Sequence, residues 1–384
     1  MNPNVKEAIK AIHDHATQVV FVTAGAGTRA LSDLLFVSGA SRTLLEAIVP
    51  YGRESFIDFL GQEPEKFVHQ KTAKLLAGRA LTRARWLSDI NQEVIGLACT
   101  ATIATEQPKK GAHRAHIATW QHEQLRHLYV RLKKGARTRQ EEETAVSHLI
   151  LQTLIDAYRL PHQIPQFLTE EDSLEEEVIS YLQAAKDLSQ NKTLYFGVNE
   201  DGLLIPAKNK PQLLLSGSFN PLHKGHLALA RTAASLTNQP VGFEISVFNV
   251  DKPLLKTEVM LDRLAQFAGR WPVYLTNAPT FIEKARLFPN CTFVVGIDTA
   301  VRIINPRYYH DDPTEMEKAL TEFRDLGCRF LVAGRVNQEG RFLKLSDMHI
   351  PADFHPIFSA IPDTLFRKDV SSTQLREKAQ KGSR

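Results

Sequence analysis

The sequence predicts a two-domain α/β protein whose C-terminal half carries a doubly wound parallel sheet. Three observations lead there. The chain has 384 residues, more than one ordinary hydrophobic core accommodates. Apolar runs of strand character alternate with amphipathic helical stretches in both halves. Between the halves, "LPHQIPQF" and "TEEDSLEEE" place two prolines and a run of acids together, the composition of a linker. The boundaries that follow are a domain over 1–160, a linker and bridging helix over 161–192, and a domain over 193–384.

In the first domain, "QVVFVT" at 18–23 reads as a buried strand, followed by glycines and a helical pattern. "EAIVPY" is another strand-like run. Residues 63–90, rich in Ala, Leu and Lys, read as helix. "EVIGLACTATIA" and "AHIATW" read as buried strands. Residues 138–158 form an amphipathic helix with acids in its first turn, where the helix dipole favours them. "SLEEEVISYLQAAKDLSQ" reads as the bridging helix. In the second domain the order is "QLLLSG", a helix over 223–237, "FEISVFN", a helix over 257–269, "VYLTN", a helix over 280–287, "CTFVVGID" and "RFLVAGR". That alternation is the signature of a parallel sheet wound on both faces.

Composition narrows the function classes. Hydrophobic residues make up 43% and charged residues 23%, as in a soluble globular protein. The net charge of +4 is spread among acids, so nucleic acid is not expected as a partner. The longest apolar stretch is too short to span a bilayer, and no membrane partner is expected. The opening stretch includes acids and reads as neither a signal nor a transit peptide. Cys99, Cys291 and Cys328 form no CxxC and fit a reducing compartment, so the expectation is a cytoplasmic protein. "HRAHIATWQHEQLRH" holds four histidines, and the last two are five apart. On a helix that puts the rings about 140° apart, so they do not share a metal; the segment reads as solvated.

The chemistry is concentrated in "LLLSGSFNPLHKGHLALAR" (213–231), a strand, a tight loop and a helix start. In an open α/β sheet the ligand sits beyond the carboxyl ends of the strands, where this loop lies. Gly217 permits the turn, Pro221 stops the strand, and Gly225 lets a ligand approach the backbone. His223 and His226 stand at i and i+3 on the first helical turn. The helix N-terminus offers unpaired N–H groups to a phosphate, and imidazoles there stabilise charge that develops on phosphorus.

His223-Lys224-Gly225-His226, preceded by Gly217-Ser218-Phe219-Asn220-Pro221, resembles the HxGH signature of the nucleotidyltransferase superfamily. Ser371-Ser372-Thr373-Gln374-Leu375-Arg376 resembles that superfamily's SSTxxR element. The two lie about 150 residues apart, as they do when one Rossmann-like domain carries both. "DKPLLKTEVMLDRLAQF" is similar to the Lys-then-Arg segment of nicotinate and nicotinamide mononucleotide adenylyltransferases, matching at Lys252 and Arg263. "FVVGIDTA" resembles their GxDT loop. The resemblance implies catalytic roles for His223, His226 and Arg376. It implies nucleotide contacts from Gly217, Ser218, Phe219, Asn220, Gly225, Lys252, Asp298, Ser371, Ser372 and Thr373. It implies Mg²⁺ carried by the nucleoside triphosphate, no dedicated protein metal site, and a phosphorylated small-molecule acceptor. Where those adenylyltransferases carry a tryptophan that stacks on pyridine, this chain has "NPRYYHDDP", with Tyr308 or Tyr309 as substitutes. The alternatives are cytidylyl transfer to a phosphorylated alcohol and a non-catalytic pyridine-nucleotide sensor.

"SGASRTLLEAIVPYGRESFIDFLG" resembles the CinA C-terminal family, the nicotinamide-nucleotide amidases, and the likeness spans about residues 5–160. Ser41 and Tyr51 match family positions, but the family's lysine five beyond the tyrosine falls on Phe56. A serine hydroxyl without a nearby base is a weak nucleophile, so the expectation is a degenerate domain without amidase activity. A homo-oligomer through this domain is the further partner expectation.

Overall fold

The computed structural model describes residues 1–89, 92–107, 110–248, 255–337 and 339–367. The chain divides into two compact units. Unit 1 is Met1–Leu182 with Glu200–Leu203 and Leu264–Arg270; unit 2 is Gln183–Asn199, Leu204–Arg263 and the described residues from Trp271 onward. Both are α/β, as expected. Among the described residues, no helix is long and apolar enough to cross a membrane.

Unit 1 is built on six strands: β1 (Gln18–Ala24), β2 (Leu44–Ile48), β3 (Val94–Thr102), β4 (His113–Trp120), β5 (Gln124–Leu132) and β6 (Ser173–Ser180). Their order is β2-β1-β3-β4-β5-β6. β1 runs parallel to β2 and β3, and from β3 onward the ladder is antiparallel. Side chains alternate across a strand. Val19, Phe21, Ile95, Leu97 and Cys99 therefore share one face, in a core with α1 (Pro3–Asp14), α2 (Thr28–Phe36) and a helix at Arg139–Ala157. On the other face lies the helix Gln70–Leu87: a Cβ on Gly96 would sit 2.0 Å from the Ala77 carbonyl oxygen, so only glycine permits this approach.

Two expectations are corrected here. The stretch 173–180, read as helix, is the edge strand β6, with the helix beginning at Tyr181. Leu and Glu favour a helix locally, but pairing with β5 overrides that preference. Glu176 bonds to Arg126, and Glu177 to the buried Lys74 at 2.5 Å. The histidine-rich stretch, read as solvated around its strand "AHIATW", has buried histidines on both strands. It forms the β4–β5 hairpin, in which His113, His116 and His127 are buried.

Unit 2 carries β7 (Tyr195–Val198), β8 (Leu213–Ser216), β9 (Gly242–Ser246), β10 (Val273–Thr276), β11 (Thr292–Gly296) and β12 (Arg329–Ala333). A small hairpin, β13 (Arg335–Val336) with β14 (Phe342–Leu343), precedes the last strand, β15 (Phe358–Ile361). The main sheet has the order β15-β12-β11-β8-β9-β10-β7 and is parallel except for the edge strand β7. From β8 the chain winds through β9 to β10, then returns to the other side of β8 at β11. The reversal between β8 and β11 opens a crevice at their carboxyl ends, the place where such sheets bind ligands.

Candidate active site

The loop after β8 meets this switch point. The Gly217 N–H donates to the Glu244 carbonyl at 3.0 Å. Behind it the buried Glu244 carboxylate accepts from Thr276 Oγ1 and Lys284 Nζ, each at 2.7 Å. Both charges of that pair are buried and paired, so removing either partner would leave an uncompensated charge beneath the loop. Phe219 holds a left-handed φ of 42°, unusual for a bulky residue, and its side chain is buried. A Cβ on Gly217 would come within 2.9 Å of that ring. Phe219 packs edge-on against His226 at 4.9 Å and against Phe243 at 5.2 Å. Ser218 and Asn220 are exposed on the loop, and Ser216 Oγ is buried without a hydrogen-bond partner.

His223 caps the helix Lys224–Thr237. Its Nδ1 accepts from the Gly225 N–H at 3.2 Å and the His226 N–H at 3.4 Å, while the His223 N–H donates to His226 Nδ1 at 3.4 Å. The rings stack at 3.6 Å with 19° between planes. An Nδ1 that accepts cannot carry the proton, so both rings are neutral and keep their hydrogen on Nε2. Burial lowers the pKa of His226 to about 3, with a smaller contribution from His223. Burial also lowers that of His223, helped by the positive charge of Arg335. The pair is two N–H donors at a helix N-terminus, a device for oxyanions.

The structure brings Asp298 to the same crevice. Gly296 ends β11 and caps the helix Ile297–Ile303, and Asp298 lies in its first turn. Its Oδ2 is 3.0 Å from Nη1 of Arg335, which opens β13 with a single residue between it and β12. Sequence reasoning missed Arg335; the signal was an arginine just past the carboxyl end of a strand in "RFLVAGR". Gly225 is buried in the first turn of the helix, as a close approach requires. Arg263 lies on the helix Thr257–Ala265, where burial lowers its pKa. Tyr308 is exposed in a 3-10 turn, whereas Tyr309 donates its hydroxyl to Ile303 at 2.9 Å and burial raises its pKa to about 12. Lys252, Ser371, Ser372, Thr373 and Arg376 lie outside the described residues. No group of three or more His, Cys, Asp or Glu among the described residues could hold a metal ion.

In unit 1, Tyr51 lines a cavity of about 310 Å³ with Gly25, Arg53, Phe56, Phe67 and Thr100. Phe56 is buried edge-on against Phe67 at 5.1 Å. Ser41 is exposed on a four-residue helix and is not among the residues lining the cavity. Lys66 and Lys71 line a different cleft.

A parallel sheet whose switch point carries a helix-capping histidine pair and a basic residue offers hydrogen-bond donors and positive charge to an anionic ligand. Residues 214–378 match the family model described as cytidylyltransferase-like, so the C-terminal part is similar to nucleotidyltransferases of that type. Solved structures similar to the chain, over its N-terminal part, are CinA proteins. The competence/damage inducible protein CihA from Agrobacterium tumefaciens is 22% identical, with a TM-score of 0.32 over 41% of this chain and 98% of that one. A competence or damage-inducible protein from Enterobacter asburiae is 15% identical, with a TM-score of 0.34 over 41% of this chain and 99% of that one. A CinA superfamily protein from Klebsiella pneumoniae is 10% identical, with a TM-score of 0.32 and the same coverages, 41% and 99%. No curated protein sequence matches the chain.

Proposed function

We propose that unit 2 transfers a nucleotidyl group from a nucleoside triphosphate, ATP first, to the phosphate of a small acceptor such as nicotinamide or nicotinate mononucleotide. The observation that carries this reading is the neutral His223–His226 pair at the switch point, in a segment that matches a nucleotidyltransferase family. An acceptor phosphate oxygen attacks the α-phosphorus, the bond from that phosphorus to the bridging oxygen breaks, and pyrophosphate leaves with the electron pair. The protein does little covalent chemistry; it aligns the two phosphates and stabilises the charge that builds between them. The Nε2–H groups of His223 and His226 donate to the α-phosphate oxygens in the transition state. Ser372, Thr373 and Arg376 hold the departing pyrophosphate, and Lys252 the triphosphate. Mg²⁺ arrives with the triphosphate as part of the substrate and draws on few or no protein ligands.

The description of the matching family favours a second reading, CTP with a phosphorylated alcohol. Pyrophosphate release, measured with ATP and with CTP against a panel of acceptor phosphates, decides between them. Release with none of the pairs would leave the sensor reading instead.

Unit 1 has no amidase role in this reading: Ser41 is exposed away from the cavity that Tyr51 lines, and Phe56 can take no proton. The three buried free cysteines support a cytoplasmic setting.

A further inference from the structure

Two phosphates that react carry several negative charges between them, and the histidine pair brings hydrogen bonds to them but no charge. Positive charge has to come from other side chains. Arg335 is a cation near His223: after burial, its charge lowers the pKa of that ring. It stands past the carboxyl end of β12, the strand beside β11, so it belongs to the crevice by topology as well as by charge.

Its partner Asp298 sets the terms. The two side chains meet at 3.0 Å while each stays 43% and 54% exposed. An ion pair so open to water contributes little to stability, which is small reason for a fold to need it. The same guanidinium on a phosphate makes a stronger, charge-assisted bond, and its planar fork suits paired oxygens.

We propose that Arg335 binds a substrate phosphate in the crevice, with Asp298 holding the guanidinium in place until the phosphate displaces it. This inference rests on the reading of the crevice as a site of nucleotidyl transfer. The exchange of a carboxylate for a phosphate leaves Arg335 paired throughout.

Inorganic tripolyphosphate is the probe, because it has the phosphates and lacks the ribose. Its binding to the full chain is measured by calorimetry for the wild type, Arg335→Gln, Arg335→Lys and Asp298→Asn. Arg335→Gln should weaken binding about tenfold or more, and Arg335→Lys should restore most of the loss. Asp298→Asn should tighten it several-fold, since the competing carboxylate is gone. The His223 ring, followed by NMR titration, should take up its proton at higher pH in Arg335→Gln. Unchanged affinity in Arg335→Gln overturns the inference, and so does a wild type that does not bind tripolyphosphate. Equal weakening in Arg335→Gln and Asp298→Asn with a matching loss of thermal stability also overturns it, because the pair would then be only structural. A wild type that shows the binding pattern but releases no pyrophosphate overturns the transfer reading and leaves this one standing. Turnover that is indifferent to Arg335→Gln does the reverse.

Discussion

Among the described residues, two pairs of imidazoles stack on each other. His223 and His226 lie 3.6 Å apart at a helix start in unit 2; His116 and His127 lie 5.3 Å apart on neighbouring strands in unit 1. Burial is the largest cause that lowers the pKa in both pairs, to about 3 for His226 and His116 and about 4 for His127. The difference is in what the nitrogens do. His116 Nδ1 and His127 Nε2 share a hydrogen bond with each other at 3.1 Å, and Tyr129 stacks on His116 at 4.8 Å. His69 flanks the pair at 6.2 Å from His116, and the charges of Arg114 and Lys74 disfavour protonation further. That pair spends one nitrogen of each buried ring on the other ring. The unit 2 pair closes on the backbone and leaves a donor on each ring.

If that distinction is right, removing one ring has different effects in the two places. The largest effect belongs to His226→Ala, which should lower nucleotidyl transfer by about 10²–10³-fold or more while ATP binds within about tenfold. Equal losses in turnover and in ATP binding would put His226 with the core histidines. Next comes the charge the unit 2 pair does not supply. Arg376→Ala should weaken ATP binding by about 1.5–3 kcal/mol, measured by titration; unchanged affinity removes Arg376 from the site.

Acid sharpens the comparison from the other side. His116 and His127 are neutral in the fold and take up protons near pH 6.5 when unfolded, so the unfolded chain binds the protons. Their contribution is intact above about pH 6.5 and drains away toward pH 4 and 3, by about 1.4 kcal/mol per pH unit for each ring. The unfolding free energy of wild type against a His116→Gln, His127→Gln double variant, followed from pH 7 to 4, checks this. Parallel curves would mean that the rings already carry charge in the fold. The same reasoning predicts no histidine limb between pH 6 and 8 in the transfer rate, because His226 stays neutral throughout. The smallest effect is that of Ser41→Ala: no change in transfer, and no ammonia released from nicotinamide mononucleotide by either protein. Serine-dependent ammonia release would show a working amidase.

The two pairs were unequally legible in the sequence. His223 and His226 sit three apart around a glycine, after a strand and a turn, so local geometry alone places them together. His116 and His127 meet only because β4 and β5 pair through the turn at His122 and Glu123. The period-two alternation of Leu128, Val130 and Leu132 with Tyr129 and Arg131 is the signal that marks β5 as the partner of "AHIATW". Edge strands were the hardest to read. β6 is written in helix-favouring residues, and β7 and β15 are only four residues each, so their structure is fixed by the neighbouring strand. Arg335 escaped for a related reason: its role depends on the order of strands, which a linear reading does not give.

One detail of the capping pair reaches past catalysis. Histidines spaced three apart on a helix are often read as a claw for metal, which needs lone pairs turned outward. Here the Nδ1 lone pairs of both rings face N–H groups of the chain's own first turn, and the remaining nitrogens carry hydrogen. The loop therefore sorts visitors by the sign of their charge. It greets oxyanions with hydrogens and shows cations no electron pair, and the turn that starts the helix does the sorting.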